Sequence, residues 1–206
     1  MARLNILKKT ARISVAKQVA ARATRAARAA RLSGVPVRLA EEFEVWKLLP
    51  KAIEIPQARL SKVAEKTGYW QHLIRHGKVA REIVTTRADA AGRKFQVHAL
   101  GNELLAEKYD SAIQWLDAND SSDAIVRVLV VPTFVLHAFW LFSSKEDRVV
   151  LVDAMKPVEG IAPEREYSSQ EFLGAIVKQH IKQKLPSEKE LEKAARKIRL
   201  GNPFNL

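Results

Sequence analysis

The stretch AIVRVLVVPTFVLHAFWLF, Ala124 to Phe142, decides the fold. Its 19 residues hold only two ionisable groups, Arg127 and His137, and a helix of that length would be long enough to cross a bilayer. Yet the stretch is crowded with β-branched and aromatic residues, carries Arg127 and Pro132 inside it, and is followed by the turn-like SSKEDR and then VVLVD. Residues of this kind fit a pleated, buried surface, and proline belongs at a strand end rather than within one. The expectation is therefore three buried strands, near Ile125 to Val131, Phe134 to Phe142 and Val149 to Val152, and no transmembrane span.

Upstream, NELLAEKYDSAIQWLDAND repeats apolar residues at helical spacing (Leu105, Tyr109, Ala112, Ile113, Leu116) after the stop Gly101-Asn102. Before it, YWQHLIRHGKVAREIVTTR reads as two strands, Tyr69 to Arg75 and Val79 to Thr86, joined through His76, Gly77 and Lys78. A third strand, Lys94 to Leu100, completes an antiparallel meander. Downstream, residues 155–167 read as a loop, and two helices follow with capping boxes at Ser168 with Glu171 and at Ser187 with Glu190. The first carries the stripe Phe172, Ile176, Val177 and Ile181; the second, with Leu191, Ala195 and Ile198, is charged enough to lie on the surface. Near the start of this body, EEFEVWKLLP suggests a short helix with Phe43, Trp46 and Leu49 inward, and ARLSKVAEKTG another with Leu60, Val63 and Ala64 inward. The order of elements predicts an α+β domain with a mostly antiparallel sheet, covered by helices on one face.

The first 34 residues differ in kind. Residues 1–40 contain ten Lys or Arg and no Asp or Glu, whereas the remainder has 25 basic against 23 acidic residues. The net charge of +12 is thus concentrated in an arm. Met1 to Leu32 lacks Pro and Gly, is rich in helix formers, and meets stop signals at Ser33, Gly34 and Pro36, so a helix is expected. In RATRAARAARLSG an arginine recurs every third position, and at about 100° per residue these fan across half the circumference. The organisation expected is a basic helical arm at 1–34, a linker at 35–40, an α+β domain at 41–185, and a surface helix and tail at 186–206.

A helix with cations on several sides suits a polyanion, where each neutralised phosphate releases counterions. Lys8, Lys9, Arg12, Lys17, Arg22, Arg25, Arg28 and Arg31 are the expected nucleic-acid contacts, on RNA or DNA. The alternative is an acidic protein surface within a larger assembly, with the protein as adaptor, structural component or cargo. The charges interrupt every apolar run that a secretory signal would need, which suits the cytoplasm, although an Arg-rich, acid-poor segment also resembles a mitochondrial presequence.

Chemistry has few footholds. With no cysteine, thiolate metal sites and cysteine nucleophiles are excluded. No glycine-rich phosphate loop and no Gly-x-Ser-x-Gly signature is present, and no cofactor or resident metal is expected. His72, His76 and His98 would share one sheet face but lack the pattern of a zinc protease. His137 would become a general base if Asp153 or Asp147 oriented it. The carboxylates Asp147, Asp153, Glu159, Glu164 and Glu166 leave a metal-dependent nuclease as a third reading. Tyr69, Trp70 and Phe95, set among Arg75, Lys78, Arg81, Arg93 and Lys94, suggest either a basic stacking face or an ordinary core with charge opposite. A binding protein, rather than an enzyme, is the reading these residues favour.

Overall fold

The computed structural model describes residues 3–4, 14–19, 37–49, 52, 59–89, 94–120 and 122–184. The strands are β1 (Arg3–Leu4), β2 (Val37–Leu48), β3 (Ala64–His76), β4 (Val79–Ala88), β5 (Phe95–Gly101), β6 (Ile125–Val131), β7 (Leu136–Phe142), β8 (Arg148–Ala154) and β9 (Glu166–Ser168). The helices are α1 (residues 14–19), α2 (Leu60–Val63), α3 (Glu103–Asn119) and α4 (Ser169–Lys184). One sheet runs β5-β4-β3-β2-β6-β7-β8-β9, with β1 also paired to β6. Every pairing is antiparallel except those that β1 and β2 make with β6. The fold is α+β with a mostly antiparallel sheet, as the sequence implied.

Residues 124–142 form β6, a short 3-10 turn at Pro132–Phe134, and β7. Among the described residues no helix is long and apolar enough to cross a membrane. Strand alternation sorts this stretch into two cores. Val126, Val128, Phe139 and Leu141 face α3, whose Leu105, Ala106, Tyr109, Ala112 and Leu116 are buried against them together with Phe43 and Val45. Leu129, Leu136, Ala138 and Trp140 face the other way, against Leu60 and Val63 of α2 and Phe172, Leu173 and Ile176 of α4. Further along that second face Trp70, Ile74, Val84, Phe95 and Val97 form a third cluster, closed by Val15 and Val19 of α1. Helices therefore cover both faces of the sheet, not one. Each large apolar side chain buried this way contributes about 1.5–3 kcal/mol.

The helix caps follow the sequence. At α3 the left-handed Asn102 (φ 71°) accepts a hydrogen bond from the Leu105 amide at 3.0 Å. At α4, Ser168 Oγ accepts from the Glu171 amide at 3.2 Å while the Ser168 amide donates to the Glu171 carboxylate at 2.8 Å, the reciprocal box. Other expectations fail. Residues 41–48 are strand, not helix, and β2 begins at Val37, inside the expected linker. The helix expected over residues 58–68 is confined to Leu60–Val63, and Ala64 already begins β3. Arg3–Leu4 is a strand, so the first residues do not belong to one continuous helix. The second C-terminal helix, with Ser187 and Glu190, lies outside the described residues.

Candidate functional site

Of the eight expected phosphate contacts, Lys17 alone is described; Lys8, Lys9, Arg12, Arg22, Arg25, Arg28 and Arg31 lie outside the described residues. Lys17 is exposed on α1, whose opposite side is seated on the domain: Val15 is fully buried and Val19 nearly so. Gln18 completes the docking. Its Nε2 donates to the Phe95 carbonyl at 2.7 Å and its Oε1 accepts from the Val97 amide at 3.1 Å. A side-chain amide thereby takes the place of a strand on the outer edge of β5, which otherwise ends the sheet. Lys94, exposed, directly precedes this clamp.

Several cations of the described domain have carboxylate partners. Arg75 bonds Glu41 at 3.2 Å and Asp110 at 2.6 Å; burial works against its charge, but these partners raise its pKa overall. Arg148 bonds Glu166 at 2.7 Å and lies 3.4 Å from Asp120, Arg81 lies 2.6 Å from Glu103, and Lys47 lies 2.9 Å from Glu65. Lys66 pairs with Glu44, and Lys178 and Lys182 with Glu159. The basic stacking face suggested around Trp70 and Phe95 is therefore core: those rings meet edge-on at 6.2 Å inside the third cluster, and Arg75 is spent in its ion pairs. Tyr69 is the exception. It points to the face of α3, with Arg87 at 5.6 Å from its ring centre and the His98 ring at 5.3 Å. Arg87 and His98 are exposed and Tyr69 partly so.

His137 stands in a built polar site. The Tyr109 hydroxyl, fully buried, donates to Gln71 Oε1 and lies 3.2 Å from His137 Nδ1. With the Tyr109 proton directed at Gln71, Nδ1 carries the imidazole proton and donates to the phenol oxygen, leaving Nε2 as the basic nitrogen. Burial holds the His137 pKa below its ordinary value, and Asp153, its cross-strand neighbour, opposes that only in part. Burial also raises Tyr109 well above the ordinary phenol range, so it stays protonated. The sequence pairing of His137 with Asp153 thus corresponds to a real neighbour, whereas Asp147 lies elsewhere. That carboxylate is buried near Arg127, whose guanidinium carbon sits 3.9 Å from the Phe142 ring centre, 4.6 Å from Trp46 and 4.9 Å from Trp140.

The other candidates disperse. His72 is fully buried with Nε2 2.9 Å from Thr86 Oγ1, His76 lies 3.9 Å from Glu82, and the His98 ring lies tilted at 57° beside Tyr69. Glu159 and Glu166 are engaged by lysines and by Arg148, and Glu164 is exposed in a left-handed turn (φ 55°). Among the described residues no group of three or more His, Asp or Glu could hold a metal ion. Sequence reasoning missed Arg87 and Gln71. Arg87 had no local signal, and Tyr109 read as an apolar stripe residue although its hydroxyl joins the His137 site. No family model, no curated protein and no solved structure matches this chain.

Proposed function

We propose that the protein binds nucleic acid, RNA or DNA, chiefly through phosphates, using the basic segment that contains Lys8, Lys9, Arg12, Lys17, Arg22, Arg25, Arg28 and Arg31. One observation carries this reading: residues 1–40 hold ten cations and no acid, while the remainder is close to balanced at 25 against 23. The ion pairs of the sheet and helices support it, because each cation held by a carboxylate is less available to a polyanion than one in a segment without acids. Such contacts position a duplex or strand and carry little sequence information by themselves.

The test is binding of the full chain, and of the full chain with Arg22, Arg25, Arg28 and Arg31 changed together to Gln, to mixed RNA and DNA across a salt series after nuclease treatment and high-salt washing. Eight phosphate contacts would give a slope of log affinity against log salt of up to about −7 on duplex DNA. Salt dependence that is steep in the unmodified chain and clearly shallower in the Gln variant supports the reading. Equal weak binding by both chains, or none, defeats it and turns attention to an acidic protein partner.

A further inference from the structure

We infer that Tyr69, Arg87 and His98 form a stacking site for an unpaired nucleic-acid base, so that the protein prefers single strands to duplex. The inference rests on the nucleic-acid reading and adds a site and a ligand class to it. The three side chains come from neighbouring strands: Tyr69 of β3 is opposite Arg87 of β4, and Arg87 is opposite Gln96 of β5, two residues before His98. A register shift in the β4–β5 ladder leaves His98 between the paired Val97 and Ala99, and such a bulge re-aims a side chain. Tyr69 packs partly against the core beneath it. A ring held that way loses little freedom when a base stacks on it, and stacking tolerates any base because every base has a π-face.

The site also carries a positive charge suited to a phosphate. Arg75, Arg81, Arg127 and Arg148 each have a carboxylate partner. Arg87 has none among the described residues, and its charge rests on the Tyr69 ring instead. It can therefore take a phosphate without first breaking an ion pair. The platform and α1 lie on opposite faces of the same three strands, separated by the β5 edge that Gln18 grips. Exposed Lys94 and Lys17 lie at that edge. A flexible single strand can follow these cations around the rim from the platform to the N-terminal segment; a stiff duplex with its bases stacked inside cannot use the ring.

The experiment uses the full chain with a short fluorescein-labelled oligouridylate and a labelled hairpin duplex. Tyr69→Leu, which keeps apolar bulk over the core, is expected to weaken oligouridylate binding by about 5- to 150-fold while hairpin affinity and the salt slope stay unchanged. Tyr69→Phe keeps the ring and should bind as the unmodified chain does. His98→Ala and Arg87→Gln, at exposed positions, should each narrow the preference for the single strand, and thermal unfolding confirms that all variants are folded. If Tyr69→Leu, His98→Ala and Arg87→Gln all keep the original ratio of the two affinities while Arg22, Arg25, Arg28 and Arg31 changed together to Gln weaken binding of both probes, the platform is overturned and the arm reading survives. If the unmodified chain binds neither probe, both are overturned.

Discussion

Arg127 is a cation walled in by rings, with Trp46, Trp140 and Phe142 around its guanidinium, Glu44 Oε2 3.8 Å from its Nε, and Trp46 Nε1 donating to that same carboxylate at 2.9 Å. Burial lowers its pKa, and Glu44 and Asp147 push in the opposite direction. Truncating the cation leaves the buried Asp147 without its counter-charge and Glu44 with Lys66 alone, and Arg127→Leu is expected to cost about 3–5 kcal/mol in denaturant unfolding. His137 presents the reverse case, a base that burial keeps neutral. Its folded pKa lies below the unfolded value near 6.5, so between those two values the unfolded chain binds the extra proton. Its effect on stability is absent above the unfolded pKa and grows as a penalty while pH falls toward the folded one. An NMR titration should find His137 below 6.5, and Asp153→Asn should lower it further, because Asp153 supplies the opposing attraction.

At the scale of elements, α1 and β2 are the instructive pair. Gln18 bonds both a carbonyl and an amide on the edge of β5, so Gln18→Leu should speed hydrogen exchange at the Val97 amide well beyond any change in the central strands. Val15→Ala, emptying a fully buried position, should lower stability by about 1–3 kcal/mol in the same denaturant assay. Residues 124–142 were legible because β-branched and aromatic residues filled both faces of β6 and β7, and the α3 and α4 caps were legible because capping chemistry is local. β2 was not. Phe43, Trp46 and Leu49 fall at helical spacing, yet Glu42 and Glu44 are almost wholly buried, and a sequence pattern gives no reason to place acids inside. Arg127 and Lys66, distant in sequence, supply the partners of Glu44. The stacking site was half legible for a similar reason. The hairpin about Gly77 and Lys78 would set Tyr69 opposite Thr86, and the register shift at Ile74/Arg75 moves Arg87 there instead.

For the whole molecule, charge is the organising quantity. A near-balanced body with many internal ion pairs, joined to a segment holding ten cations and no acid, should separate affinity from stability: Arg22, Arg25, Arg28 and Arg31 changed together to Gln should reduce the salt slope by about 3 to 4 on duplex DNA. Thermal unfolding measured on the same variant checks that the fold is kept. The N-terminal segment is also tied to the sheet through β1, whose Arg3 and Leu4 pair with Ile125 and Val126 of β6. On the ribosome, which emits the chain in order, Arg3 and Leu4 emerge more than a hundred residues ahead of the strand they join, and α1 likewise precedes the β5 edge it covers. During synthesis the basic segment is therefore untethered for as long as the sheet is unfinished, and any polyanion nearby, the ribosome's own RNA included, meets it before its own domain does.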